Sequence, residues 1–155
     1  MNLKIGDKAP DFEGKNQNNE YVKLSSFIGE KVVLYFYPRD NTPGCTAQAC
    51  NLKDNFNELS RKGYKIIGVS SDSIKSHKKF EEKYALPFDL ISDEDKAIHK
   101  SYGTWIEKSM YGRKYMGIER STFVFDKDLK LVKSWRNVKV KDHAEEVYTL
   151  ISKLV

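Results

Sequence analysis

Cysteine and long hydrophobic runs are both scarce in this sequence. The 155 residues contain two cysteines, which is too few to cross-link a secreted scaffold, so the pair points to redox chemistry or metal binding in a reducing compartment. No apolar run approaches the roughly 20 residues of a membrane span, and residues 1–8 lack the apolar segment of a signal peptide. We therefore expect a cytoplasmic location and no membrane partner.

The sequence also lacks internal boundaries and clustered charge. Its four prolines and nine glycines form no linker and no repeat divides the chain, so one domain over residues 1–155 is expected. Lys and Arg number 27 against 22 Asp and Glu, a net charge of +5, but the basic residues are spread among acidic ones. Nucleic-acid binding is therefore not expected.

What the sequence does contain is an alternation of buried strands and amphipathic helices. Residues 31–37 form a β-branched and aromatic run, typical of a central strand buried on both faces. Apolar residues then recur at helical spacing from Ala49 to Leu59, and Gly63 is predicted to end this helix. Residues 64–70 form a second buried strand.

The next helix is predicted from Ile74 to Tyr84, with Ser73 as its cap. This alternation predicts an α/β protein with right-handed crossovers and helices on both sides of a sheet. No clean period covers residues 103–118, so we expect a functional loop there. The remaining predicted elements are a hairpin (11–13 and 21–24), a short helix from the cap Asp93 to Tyr102, a strand pair (121–126 and 129–134) and a C-terminal helix starting at Asp142 and Glu145.

Cys45 falls in the first turn of the first predicted helix. Thr42 is the predicted N-cap and Pro43 the first helical residue, where a missing N–H costs nothing. The unpaired N–H groups and the positive end of the helix dipole stabilise an anion in this turn, so the thiolate of Cys45 is favoured. The alternative is that Cys45 is a small buried core residue, but a core residue would not need a capped helix start.

Cys50 lies about 140° around the helix from Cys45, on a polar flank. A core role is unexpected there, and a thiol that waits to react with its neighbour explains it better. Three alternatives stay open at this point. The cysteines could bind a metal, although the three histidines are scattered; the chain could be a disulfide oxidoreductase, despite a Cys-x₄-Cys spacing; or it could be a binding or holdase protein that uses residues 103–118.

These residues resemble the peroxiredoxins. The family signature Pro-x-x-x-Thr-x-x-Cys is matched by Pro38, Thr42 and Cys45, and the Q type, or bacterioferritin comigratory protein subfamily, is similar in having a second cysteine where this chain has Cys50. The resemblance extends over nearly the whole chain. It includes residues 6–12, 40–46, 68–72 and 105–117, and the segment 120–123, which matches the strand start that carries the active-site arginine of the family, here Arg120.

The resemblance implies a thioredoxin-like fold with an N-terminal β-hairpin extension and a central mixed sheet flanked by helices. It implies a thiol peroxidase in which Cys45 attacks hydrogen peroxide or an organic hydroperoxide and Cys50 then forms an intramolecular disulfide with it. Arg120 and Thr42 would hold the sulfur and the peroxide, and Pro38 would shape the pocket. Thioredoxin or a similar dithiol protein would reduce the disulfide. No metal or other cofactor is implied, and a monomer is expected.

Overall fold

A computed structural model of the chain describes residues 3–141 and 143–153, and these ranges hold nine strands and five α-helices. The strands are β1 (Glu13–Lys15), β2 (Tyr21–Lys23), β3 (Lys31–Phe36), β4 (Tyr64–Ser70), β5 (Asp89–Ser92), β6 (Trp105–Met110), β7 (Arg113–Ile118), β8 (Ser121–Phe125) and β9 (Leu131–Trp135). The helices are α1 (Pro43–Asp54), α2 (Phe56–Arg61), α3 (Ile74–Tyr84), α4 (Ala97–Ser101) and α5 (His143–Lys153). None of the described helices combines the length and the apolar character needed to cross a membrane. The predicted α/β class is confirmed.

Within the described ranges, seven strands form one mixed sheet in the order β2-β1-β5-β4-β3-β8-β9. Strands β3, β4 and β5 are parallel neighbours, whereas β8 lies antiparallel to β3. In that register Phe36, the last residue of β3, pairs with Ser121, the first residue of β8. Because Arg120 directly precedes Ser121, this pairing brings it to the end of the central strand.

The central strand β3 is buried on both faces, as its sequence predicts. Val32, Leu34 and Phe36 belong to one hydrophobic cluster, and Val33 and Tyr35 belong to the other. The second cluster also receives apolar side chains from α1, α2, α3 and α5. Period-two alternation of the strand therefore assigns neighbouring residues to opposite layers. The layer that contains Tyr35 also contains Cys45.

Both edges of this sheet are short strands that carry exposed lysines. β2 has three residues and exposes Lys23, and β9 has five residues and exposes Lys133. The start of β9 is also covered by the N-terminal segment, because the backbone N–H of Gly6 donates to the carbonyl of Leu131 at 2.8 Å. Short edge strands with lysines are a common way of limiting strand addition.

The helix that carries Cys45 is shorter than predicted. The expected single helix to Gly63 is wrong, because α1 ends at Asp54 and α2 begins at Phe56. Asn55 between them has φ −99° and ψ 4°, and its side-chain amide donates to the carbonyl of Asn51 at 2.9 Å. An asparagine that bonds locally to the backbone competes with the helix ladder. Gly63 does follow the end of α2, at φ +84°.

The predicted loop at residues 103–118 is also wrong. This segment forms an antiparallel hairpin of β6 and β7, with Tyr111 and Gly112 in its turn. The hairpin forms a separate sheet in the described chain, and Tyr111 at its tip is 99% exposed. Because much of the hairpin faces solvent on both sides, its strands lack the regular apolar alternation that reveals a half-buried strand.

The other predicted elements are mostly present, with shifted boundaries. The first hairpin strand spans Glu13–Lys15 rather than 11–13, and β5 was not predicted. Ser73 caps α3 as expected, since its Oγ accepts from the N–H of Ser76 at 3.1 Å. Asp93 accepts from the N–H groups of Ile98 and His99, but α4 begins only at Ala97. The predicted cap Asp142 lies outside the described residues.

Candidate active site

Cys45 lies in the first turn of α1, close to the end of the central strand. Thr42 occupies the N-cap position with extended backbone angles (φ −89°, ψ 157°), and Pro43 is the first helical residue. Cys45 follows as the third helical residue, and its side chain is buried, with 2% of the residue exposed. The unpaired N–H groups of a first helical turn favour an anion, so this position suits a thiolate.

Arg120 binds the sulfur of Cys45 directly. Its Nη2 donates to the Sγ atom at 3.2 Å, and its Nη1 donates to Oε1 of Gln48 at 2.6 Å. The neighbouring carboxylate of Glu119 lies 3.5 Å from Arg136 and forms an ion pair with that residue instead. A planar guanidinium can hold both partners at once. Its positive charge therefore faces the atom that would carry the negative charge.

Two residues that the sequence reasoning missed complete this contact. Gln48 is buried one helical turn after Cys45 and fixes the second arm of Arg120. The spacing of three residues could have indicated it, because such positions share a helix face. Gly44 leaves room for the guanidinium, since a Cβ there would lie 3.3 Å from Nη2 of Arg120. Gln48 thus holds the guanidinium, and Gly44 leaves the space that it occupies.

Thr42 occupies the predicted place but does not make the predicted cap bond. Its hydroxyl donates to the carbonyl oxygen of Arg39 at 3.0 Å. Only its backbone carbonyl enters the helix, as the acceptor for the N–H of Thr46 at 2.8 Å. The Thr42 hydroxyl therefore does not occupy an N–H group of the first turn, which leaves the turn available to an anion.

A cavity of about 560 Å³ opens beside Arg120. Pro38 lines it from the loop after β3, and the hairpin lines it with Ile106 and Tyr115, among others. Asn137 and Val138, which follow β9, complete its wall. The structure thus brings Pro38 and Arg120 to one cavity and Cys45 to the guanidinium at its edge.

Cys50 lies on the same helix but is not brought to Cys45. Both are free thiols, Cys45 buried and Cys50 half-buried, and α1 is continuous through both. Five residues of helix rise about 7.5 Å and turn about 140°, whereas a disulfide needs Cα atoms roughly 4.4 to 6.8 Å apart with converging Cβ atoms. The helix must therefore open before the two sulfurs can bond.

Two buried tyrosines lie in the layer that contains Cys45. The rings of Tyr35 and Tyr37 stack with centroids 5.4 Å apart. Burial raises the pKa of both well above the ordinary value, and the charge of Asp40 raises both further. The Tyr35 hydroxyl has no hydrogen-bond partner among the described residues. Gly68 permits this ring position, because a Cβ there would lie 2.9 Å from the Tyr35 hydroxyl.

Two free thiols, one of them bound by an arginine at a helix start, define a thiol-dependent redox enzyme. The model of the AhpC/TSA family matches residues 5–134 of the chain. The chain belongs to this family.

Its relatives carry peroxiredoxin names. Peroxiredoxin Bcp of Bacillus subtilis is 50% identical over 151 residues, which cover 97% of this chain and 96% of the relative. Peroxiredoxin Bcp of Escherichia coli K12 is 43% identical over 145 residues, which cover 94% and 93%.

Solved structures agree with these relatives. Peroxiredoxin Q of Xanthomonas campestris has a TM-score of 0.88 at 38% identity and covers 92% of this chain and 90% of its own. A mutant PrxQ of Xylella fastidiosa has a TM-score of 0.91 at 35% identity and covers 99% and 96%. The resemblance to Q-type peroxiredoxins and the thioredoxin-like fold are thereby confirmed. As a peroxiredoxin, the protein is a thiol peroxidase.

Proposed function

We propose that Cys45 is the peroxidatic thiol. Its thiolate attacks one oxygen of a hydroperoxide, the O–O bond breaks, and the sulfur becomes a sulfenic acid while water or an alcohol leaves. The contact of 3.2 Å between Arg120 and the Cys45 sulfur is the observation that carries this proposal. It provides positive charge where the thiolate and the departing oxygen both carry negative charge.

Cys50 is the proposed resolving thiol. Its sulfur attacks the sulfenic sulfur of Cys45, a disulfide forms, and the sulfenic oxygen leaves as water. Both cysteines belong to one helix, so the bond is proposed within one chain, and a monomer suffices. Thioredoxin or a similar dithiol protein would then reduce the disulfide by exchange and become oxidised itself.

Thr42 and Pro38 are proposed to prepare the pocket. The Thr42 hydroxyl now donates to the carbonyl of Arg39, and a rotation about χ1 would release it to hydrogen-bond the peroxide. Pro38 lines the cavity beside Arg120 and offers no N–H, so it would limit water there. The cytoplasm is the proposed location, since a reducing compartment returns an isolated thiol pair to the reduced state.

Burial of Cys45 favours peroxides over protein disulfides as the oxidant. With 2% of the residue exposed, the Cys45 sulfur suits a small oxidant better than a disulfide on another folded protein. General disulfide exchange would need the helix to open first. The same side chain is thus better placed for a peroxidase than for a disulfide oxidoreductase.

Two cysteine variants test these roles. Cys45→Ser should abolish peroxide reduction, because serine gives neither a thiolate nor a sulfenic acid. Cys50→Ser should consume about one equivalent of hydrogen peroxide and then stop as a sulfenic acid that over-oxidises easily. Peroxide consumption and intact mass would be followed with and without thioredoxin, its reductase and NADPH. Normal turnover by either variant would contradict the assignment.

A further inference from the structure

The loop between β3 and α1 is held by a buried carboxylate that lies outside the proposed chemistry. Asp40 accepts three hydrogen bonds, from the Tyr37 hydroxyl at 2.6 Å, from Ser76 Oγ at 2.8 Å and from His77 Nδ1 at 2.7 Å. Its side chain is 3% exposed and that of His77 is fully buried. The loop that leads to Cys45 is therefore hydrogen-bonded to α3.

The backbone of the same residue is held as well. The N–H of Asp40 donates to Oδ2 of Asp72 at 2.8 Å, and the same oxygen accepts from Ser70 Oγ at 2.7 Å. Ser70 ends β4, so the loop is fastened to the neighbouring strand and to α3. Asp40 precedes Thr42 by two residues, which leaves little freedom to the start of α1.

Both nitrogens of His77 face oxygen acceptors. Nδ1 lies 2.7 Å from Oδ2 of Asp40, and Nε2 lies 3.0 Å from the carbonyl of Ile91. A carbonyl can only accept, so Nε2 carries a hydrogen, and one further proton lies between Nδ1 and Asp40. Ligand atoms of Asp40, Asp72 and His77 lie within 4.8 Å of one another, and all three side chains are engaged in hydrogen bonds. Asp40 and His77 thus form a hydrogen-bonded pair inside this cluster.

We propose that Asp40 and His77 are positioning residues for the peroxidatic thiol, which rests on the function proposed above. Neither residue touches the sulfur. The pair fixes the loop at which α1 begins, and thereby the direction of the first-turn N–H groups and the place of Cys45 against Arg120. It also forms the stationary end from which the helix opens when the disulfide forms.

The chain contains a matched control for this pair. His99 and Asp93 form a second buried pair, with Nδ1 2.6 Å from Oδ2 and side chains 0% and 2% exposed. Asp93 accepts from the N–H groups of Ile98 and His99 in α4, and His99 packs against Phe36 in the opposite layer of the sheet. A substitution there removes a similar buried pair without touching the loop.

The test compares His77→Asn and Asp40→Asn with His99→Asn. Single-turnover oxidation of Cys45 by hydrogen peroxide gives the rate of the peroxide step. The fraction of sulfinic acid formed at high peroxide shows how often a second peroxide reacts with Cys45 before Cys50 forms the disulfide. Loosening the loop should slow the peroxide step by about 10- to 100-fold, since a displacement near 1 Å can have such an effect. It should also lower the sulfinic fraction, because a looser helix opens sooner for Cys50. His99→Asn should keep the peroxide rate within about threefold even if its melting temperature falls equally.

Ser76→Ala provides a milder variant that removes one hydrogen bond to Asp40 and keeps the pair. It should slow the peroxide step by about 3- to 10-fold, as expected for a single hydrogen bond. Wild-type rates in the Asp40, His77 and Ser76 variants, or equal losses in His99→Asn, would overturn the proposal. Failure of the proposed function looks different, because wild-type protein would then not react with peroxide through Cys45 at all.

Discussion

Replacing Arg120 by methionine removes the one charged contact that the structure gives to the Cys45 sulfur among the described residues. Methionine keeps much of the apolar length but loses the bonds of 3.2 Å to Sγ and 2.6 Å to Gln48. A hydrogen bond to a charged group contributes about 1.5 to 3 kcal/mol. Because about 1.4 kcal/mol corresponds to a tenfold change, the rate of thiolate oxidation should fall by about 10- to 150-fold.

Arg120→Lys should give an intermediate rate. Lysine keeps the charge, but one ammonium cannot reproduce the planar fork that holds Cys45 and Gln48 together. The assay is single-turnover oxidation by hydrogen peroxide under pseudo-first-order conditions, with free thiol counted at each time point. The two variants together separate the effect of charge from the effect of geometry.

Arg136→Met is the matched control for these variants. Arg136 is also half-buried, but it bonds the carbonyls of Tyr102 and Gly103 and the carboxylate of Glu119. Its loss should leave the peroxide rate within about threefold of wild type. The reasoning is refuted if Arg120→Met reacts as fast as wild type, or if both methionine variants slow equally.

Two further predictions concern the helix and pH. Oxidation should join Cys45 to Cys50 and remove amide protection between about residues 42 and 53, to be checked by non-reducing peptide mapping and hydrogen exchange; equal protection in both redox forms would contradict this. Burial lowers the pKa of His143, although the nearby Glu146 raises it in part. The unfolded chain therefore binds this proton first, so stability that is fully present above about pH 6.5 should decline as the pH falls below that value. His143→Gln should flatten that decline in urea unfolding curves, and an unchanged slope would exclude His143 as its cause.

The elements with strong local signals could be predicted from the sequence. The run at 31–37 became β3, residues 64–70 became β4 with the predicted bounds, and Ser73 caps α3. The hairpin at 105–118 could not be recognised, since its exposed residues have no burial pattern to repeat. β5 has only four residues and depends on pairing with β4, which is a tertiary effect that local propensity does not contain.

The candidate site was predictable where its residues have a local sequence signal, and not where they meet only in the folded chain. Cys45 could be identified from the local sequence of its helix start, and Thr42 from its place before Pro43. Arg120 lies 75 residues away from Cys45, so only the family resemblance pointed to it. The Asp40 and His77 pair joins a loop to α3, and neither residue type is distinctive alone. The roles of all five site residues and the single domain stay predictions.

The short edge strands of the seven-stranded sheet have a consequence for a protein whose active-site helix would open in the proposed cycle. Each opening of α1 would leave backbone groups unpaired and expose apolar side chains such as Ala49 and Leu52, which is the usual start of strand exchange between molecules. The segment meets no long open edge in the seven-stranded sheet. β2 ends after three residues beside Lys23, and the start of β9 is already paired with the N-terminal segment. Repeated opening should therefore not lead to strand addition at the edges of this sheet.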